Sequence, residues 1–286
     1  MRRMLVAVTA AAAFACVASL SAVAAQPASH GREYYLALGD SLARGAQPNA
    51  KGTTVPTNQG YANDLKAKEK SRFHHLALKN LGCLGETTTT MLKGGTCKYR
   101  LGSQLNQAVA FLRAHKRHIA FVTIDIGAND VDGCLKGTSV NQKCLAKGVK
   151  SIETNLPKIA AALRKTAGPK VPIIGMTYYD PFLAAWLQGS SGRQLAAESQ
   201  LLAKSVNSDI SSAYHSKRVT IADVARASHT YKPFSDKTTL KGKKVPVAVA
   251  DICELTWMCA PAPRGPNIHA NATGYSKIAA VFAKLL

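Results

Sequence analysis

The sequence predicts an α/β protein built on a parallel sheet covered by helices on both faces. Two observations carry that expectation. Short, largely apolar runs without polar alternation occur at 34–38, 75–78, 119–126, 171–176 and 219–221, and helix-length stretches separate them at 60–70, 102–115, 149–166 and 193–215. Strands buried on both faces lose the period-2 pattern, and their regular alternation with helices is the signature of parallel crossovers. A last amphipathic stretch, 273–286, puts Ile278, Val281, Phe282 and Leu285 on one face. In such sheets chemistry gathers beyond the carboxyl ends of the strands. The segments there are GDSLARG from Gly39, NLGCLGETTTT from Asn80, GANDVDG from Gly127 and TYYDPF from Thr177.

The ends and the composition narrow the classes. Arg2 and Arg3 precede an uncharged apolar stretch that closes in Ala22, Val23, Ala24 and Ala25, which reads as a secretory leader over 1–25 with cleavage beside Ala25. The small-residue end and the lack of a basic stop-transfer flank argue against a membrane anchor. Cys16, with Ala13 three residues before it, is a poor lipidation site. Residues 26–286 are read as one exported domain. Of the 37 Lys and Arg, two lie in the leader, so the formal charge falls from +21 to +19 on cleavage. These cations are scattered and no nucleic-acid motif is present, so the charge points to a solvated surface that can meet anionic envelopes or lipid headgroups rather than to nucleic acid.

Apart from Cys16, six cysteines remain at 83, 97, 134, 144, 253 and 259. About fifteen pairings exist in principle. In an oxidising compartment the local set Cys83–Cys97, Cys134–Cys144 and Cys253–Cys259 costs the least loop entropy. Zinc is not expected: there is no C-x-x-C knuckle, and His115 and His118 read as a solvated helix end.

Four segments carry residues suited to acyl chemistry. Gly39-Asp40-Ser41-Leu42 leaves the first strand through a sharp turn, which would hold the Ser41 hydroxyl at a crevice with its own N–H free for an anion, although a serine there is also a common helix cap. Gly82 and Gly85 follow the second strand, either as a turn stapled by Cys83 or as backbone able to approach a reacting carbonyl. Asn129 can donate its amide to an oxyanion or close an Asx-turn. His269 supplies a base of near-neutral pKa in a loop before the last helix, where Asn271 reads as a cap more than as a glycan acceptor.

Together Gly39-Asp40-Ser41-Leu42, Gly85 in its N-x-G-x-x-G-x-T setting, Gly127-x-Asn129-Asp130 and the late His269 resemble, in order, the four blocks of the SGNH or GDSL hydrolase family. The three cysteine pairs are similar to those of its secreted bacterial esterase and lipase branch. The absence of a G-x-S-x-G elbow disfavours the ordinary α/β-hydrolase fold. The resemblance implies a three-layer α/β/α sandwich around a five-stranded parallel sheet of flavodoxin-like type. It also implies Ser41 as nucleophile, His269 as general base, and an oxyanion hole from the Ser41 and Gly85 main-chain N–H groups and the Asn129 side chain. The family's Asp, three residues before the His, is replaced by Pro266. The expectation is therefore a Ser–His pair in which the Pro266 main-chain carbonyl orients His269. Asn267 cannot stabilise an imidazolium as a carboxylate does, and Asp251 has no matching spacing.

The function expected is hydrolysis of small-molecule or lipid carboxylic esters, without cofactor, by a monomer. Tyr178, Tyr179, Pro181, Phe182, Leu183 and Trp186 could line an acyl site or belong to the core, and Trp257 shares that ambiguity. The alternatives are a polysaccharide O-deacetylase of the same fold, or a non-catalytic basic surface-binding module whose site lost its acid.

Overall fold

Five strands pair in parallel: β1 (Glu33–Gly39), β2 (Leu76–Asn80), β3 (Ile119–Asp125), β4 (Ile173–Met176) and β5 (Thr220–Ala222), in the order β2-β1-β3-β4-β5. The computed structural model describes residues 31–286 apart from His74, Gly137 and Thr138, so the leader expected at 1–25 lies outside the described residues. The strand order, with its reversal between β1 and β3, is the flavodoxin-like arrangement. Strand β1 is central, paired with β2 on one side and β3 on the other. Its Tyr35 through Leu38 are buried, as are Phe121, Val122 and Ile124 of β3, so both strands are covered on both faces.

Among the described residues eight α-helices follow or connect the strands: α1 (Tyr61–Lys68), α2 (Thr88–Lys93), α3 (Gln104–Ala114), α4 (Gln142–Ala167), α5 (Gly189–His215), α6 (Val224–Ala227), α7 (Val247–Leu255) and α8 (Ala272–Ala283). Helices α1 and α8 pack on each other, through a stack of Tyr61 on Phe282 with ring centroids 5.0 Å apart. Helices α3, α4 and α5 pack in sequence as a second group. The starts of α3, α4 and α8 are capped by short polar side chains: Ser103 Oγ accepts from Asn106 N, Asn141 Oδ1 from Cys144 N and Asn271 Oδ1 from Gly274 N. Asn271 is thus a cap, as its position implied.

Several elements depart from the periodic reading. Helix α2 arises inside a segment expected to be loop, because Thr87 and Thr90 form a reciprocal capping box that satisfies its first amides in spite of the poor helix propensity of a threonine run. Helix α4 begins at Gln142, seven residues before the expected start, under the Asn141 cap. A two-stranded antiparallel hairpin, Lys237–Leu240 with Lys243–Pro246, lies in a stretch too charged to show apolar alternation.

Disulfides join Cys83 to Cys97, Cys134 to Cys144 and Cys253 to Cys259. The first ties the loop after β2 to the chain beyond α2, the second pins the start of α4, and the third closes the chain between α7 and the segment paired with the His269 loop. Among the described residues no helix is long and apolar enough to cross a membrane. Because Cys83 and Cys97 are 14 residues apart, replacing both with Ala is expected to cost about 3 kcal/mol on chain-entropy grounds. Urea unfolding with an unchanged m-value would show that loss as a lower midpoint, and thiol titration of the denatured wild-type protein is expected to find no free sulfhydryl after the leader is removed.

Candidate active site

The site forms where β1, β3 and β4 end. At Gly39 the chain turns sharply with φ of 134°. A Cβ there would run into the Asp125 carbonyl, so only glycine fits. The buried Gln104 side chain brackets this residue, its Oε1 accepting from Gly39 N at 2.7 Å and its Nε2 donating to Gly39 O at 2.9 Å. From the β2 side, Asn80 Nδ2 donates to Ala43 O at 2.7 Å. Tyr275 of α8 donates to Ala46 O at 2.7 Å. The turn carrying Ser41 is therefore held by side chains from β2, α3 and α8, and Ser41 lines a cleft together with Asn129 and His269.

Asn129 reaches that cleft from a 3-10 turn after β3, and its Nδ2 donates to Glu86 O at 3.0 Å. One of its two amide protons is thus used to tie the third loop to the second. Asp130 reinforces the tie, accepting from Thr88 N at 2.8 Å and from the Thr88 hydroxyl at 2.7 Å. Gly85 occupies the adjoining turn at φ of 75°, a conformation that favours glycine, immediately before Glu86. Gly82 packs instead against the Ser41 turn: a Cβ would come within 2.8 Å of Ala43 Cβ and Arg44 N.

The His269 loop is zipped to the chain after α7. Trp257 N donates to His269 O at 3.1 Å and Asn267 N to Trp257 O at 3.2 Å, while Tyr179 donates its hydroxyl to Ile268 O at 2.9 Å. The imidazole is oriented by Asn267, whose Oδ1 lies 2.8 Å from His269 Nδ1 and 3.0 Å from His269 N. Asn267 Nδ2 donates to Thr54 Oγ1 at 2.9 Å. Because the His269 main-chain N–H can only donate, it identifies the Asn267 atom facing the ring as oxygen, so Nδ1 carries a proton and Nε2 is the free, basic nitrogen. This corrects the expectation that the Pro266 carbonyl orients the ring. An Asx-type turn folds the Asn267 side chain back over its own loop, and a side-chain carbonyl then does what a main-chain one was expected to do. Asp251 is engaged elsewhere, with His229 Nδ1 at 2.7 Å and Lys277 Nζ at 3.8 Å.

Burial lowers the His269 pKa to about 4. A neutral amide at Nδ1 offers no charge to oppose that desolvation. Nearby acids shift the other way. Burial, then the charges of Asp40, Asp180 and Asp130, push Asp132 up to about 8, and burial pushes Asp180 up to about 6.

Of the aromatic segment after β4, Tyr178, Tyr179, Pro181 and Phe182 line the cleft. Leu183 belongs to the core, and Trp186 lies between Arg193 and Lys237, 4.7 and 4.9 Å from its ring. Trp257 lies beside a separate pocket with Arg264 over its ring. The sequence did not point to Leu202, Val206 and Asn207 of α5, which complete the wall. Asn207 reads both main-chain groups of Tyr178, accepting from N at 2.7 Å and donating to O at 2.8 Å. Asp132 was visible inside GANDVDG, and its proximity to Asn129 was the available signal.

No curated protein is matched by the chain. Among solved structures it is similar to an extracellular lipase from Streptomyces rimosus, at 19% identity and a TM-score of 0.56, covering 89% of this chain and 100% of that one. It is similar also to phospholipase A1 from Streptomyces albidoflavus NA297, at 17% identity and a TM-score of 0.55 with the same coverage. A third, LAE5, an alpha/beta hydrolase enzyme from the metagenome of Lake Arreo, gives 17% identity and a TM-score of 0.51 over 90% of this chain and 96% of that one. Likeness at such identity establishes a shared fold, and function has to come from the site. The pattern of the family described as GDSL-like Lipase/Acylhydrolase matches residues 35–282, and the chain belongs to that family of hydrolases.

Proposed function

We propose that the protein is a secreted carboxylic ester hydrolase that works through an acyl-enzyme on Ser41. The observation that carries this reading is the convergence of Ser41, Asn129 and His269 on one cleft, with His269 Nδ1 occupied by Asn267 and Nε2 left basic. In the first half-reaction Ser41 Oγ attacks the ester carbonyl carbon and gives its proton to His269 Nε2. The Ser41 and Gly85 N–H groups and the remaining Asn129 amide proton receive the oxyanion. Collapse breaks the bond to the alcohol oxygen, which takes the proton from His269. Water, deprotonated by the same nitrogen, then attacks the acyl-enzyme and releases the acid and Ser41.

The cleft wall favours an acyl chain: Leu135, Phe182, Leu202, Val206 and Ile268 face it. Each methylene buried there is worth about 0.8 kcal/mol. Lipid or small-molecule esters are accordingly a better fit than the acetyl groups of a polysaccharide. The orienting amide of Asn267 speaks against a vestigial, purely surface-binding role. Three disulfides fit an oxidising compartment after removal of the leader. The formal +19 of residues 26–286 suits a monomer that meets anionic surfaces.

A panel of p-nitrophenyl esters from acetate to palmitate, assayed on the mature protein, tests the reading. Chains longer than acetate are expected to give the higher kcat/KM, and Ser41→Ala is expected to abolish turnover and fluorophosphonate labelling while the fold persists. Turnover by that variant at the wild-type rate would remove Ser41 from the mechanism.

The pH profile tests the base. Since burial holds the His269 pKa at about 4, the imidazole stays neutral through mildly acidic solution, and kcat/KM is expected to keep its plateau below the ordinary histidine range before falling. Asn267→Asp would place a carboxylate at Nδ1, stabilise the imidazolium and move that acid limb upward by about one to three pH units. Asn267→Ala, which frees the ring to rotate, is expected to lower kcat by at least about tenfold. A wild-type acid limb at the ordinary histidine value, unmoved in Asn267→Asp, would break the link between that side chain and the base.

A further inference from the structure

Asp125 ends β3 directly beneath the Ser41 turn, and ester hydrolysis as written above makes no use of it. It is 0% exposed and Asp40, beside it, 1%. Two buried acids in contact are costly unless every oxygen finds a donor and one proton is shared. Both conditions hold here. Asp125 Oδ2 accepts from Ala43 N at 3.0 Å and, more weakly, from Asp40 N at 3.4 Å, while Oδ1 accepts from the Tyr61 hydroxyl. Asp40 Oδ1 accepts from Leu42 N at 2.9 Å and Oδ2 from the Tyr178 hydroxyl at 2.7 Å. The two carboxyl groups also hydrogen-bond each other; burial raises the pKa of both, and the Asp40 charge raises that of Asp125 further, well above the carboxylate range.

The consequence falls on the main chain. Of the four successive N–H groups from Asp40 to Ala43, those of Leu42 and Ala43 end on these two side chains, and that of Asp40 donates to the Asp125 main-chain carbonyl at 3.0 Å with the carboxyl as a weaker second acceptor. Among the described residues the Ser41 N–H has no protein acceptor. We propose that Asp125 is a positioning residue for the nucleophile turn: its main-chain carbonyl holds the Asp40 amide and its carboxyl the Ala43 amide, so that the Ser41 N–H and hydroxyl are the groups left facing the cleft. It touches no substrate. Its effect is transmitted through the backbone on either side of Ser41, and a carbonyl oxygen approaching the cleft meets an amide already aimed at it. The proposal rests on Ser41 being the nucleophile.

Comparison of Asp125→Asn with Asp125→Ala tests it, using kcat and KM for a soluble p-nitrophenyl ester, the rate of fluorophosphonate labelling, and near-UV circular dichroism to count folded molecules. Asn keeps an oxygen for the Ala43 amide and an Nδ2 donor for the Asp40 side, so its kcat per folded molecule is expected to stay within about tenfold of wild type. Ala is expected to lose roughly a hundredfold in kcat and in labelling rate, the scale of a small misplacement of reacting groups, with KM nearly unchanged. A mere stabilising role would lower the folded fraction of both variants and leave kcat per folded molecule alone, which would overturn the proposal, as would a rise in KM in place of a fall in kcat. Should Asp125→Ala not fold, Tyr61→Phe decides: removal of the Oδ1 donor is expected to lower kcat severalfold at constant KM, and an unchanged kcat overturns the proposal. Wild-type protein that neither labels nor hydrolyses esters would refute the nucleophile assignment itself, a result distinct from active wild type with indifferent variants.

Discussion

A sharp turn at the end of a buried strand leaves amide groups without ladder partners, and the site is organised around supplying them from side chains while keeping one aside. Each orphaned buried amide would cost about 1–3 kcal/mol. Here the donors and acceptors arrive from β2, β3 and α3, as Asn80, Asp125 and Gln104, together with Asp40 of the turn itself. The sheet order makes this possible. Because β1 lies between β2 and β3, with Ala37 opposite Asn80 and Gly39 opposite Asp125, the last residues of both neighbours come level with the turn. The register is thus part of the chemistry: a one-residue slip would turn Asn80 and Asp125 to the other face of the sheet.

The proposed base is set up differently from one paired to a carboxylate. Asn267 fixes which nitrogen of His269 is free but lends no charge, so burial alone governs its basicity and moves it down to about 4. General bases weaken as their pKa falls, so in the proposed mechanism the imidazole would accept the Ser41 proton with less driving force than one near neutrality. The deficit is limited by where the charge appears. The imidazolium forms only together with the oxyanion, and a drier cleft strengthens the attraction between the two. The arrangement exchanges strength of the base for its availability in mildly acidic surroundings.

The alternation of apolar runs and helix-length stretches located every strand of the main sheet, since β1 and β3 are buried on both faces and cannot hide behind polar alternation. It could not locate α2, whose threonines are poor helix formers rescued by reciprocal caps, nor the hairpin at 237–246, whose outer residues are charged. Ser41, Asn129 and His269 stood out together, as blocks in family order at strand ends and before the last helix, although each alone could have been a cap, a turn or a structural residue. Asn267 carries no charge to mark it in the sequence, and the Asx-type fold that brings its oxygen to Nδ1 depends on the course of a loop pinned by Trp257. Leu202, Val206 and Asn207 sit on a helix roughly 160 residues beyond Ser41, and a helix facing a cleft has the same apolar spacing as one facing a core. Asp125 looked like the polar end of a strand, and only its partners distinguish it.

The acids around the cleft bear on what it can hold. A chain with 37 cationic and 16 acidic residues nevertheless concentrates Asp40, Asp132 and Asp180 on one wall. Fully ionised, that wall would repel anionic product and oppose an oxyanion. Burial raises Asp180 to about 6, burial with the neighbouring acids raises Asp132 to about 8, and burial with the Asp40 charge raises Asp125 under Ser41. Near neutrality the Asp132 carboxyl is therefore mostly uncharged, and an apolar chain can pass Leu202 and Val206 without meeting its charge. The discharge is partial, since Asp180 near 6 stays mostly ionised at neutrality, and it is at Asp132 that the wall becomes passable to an apolar chain.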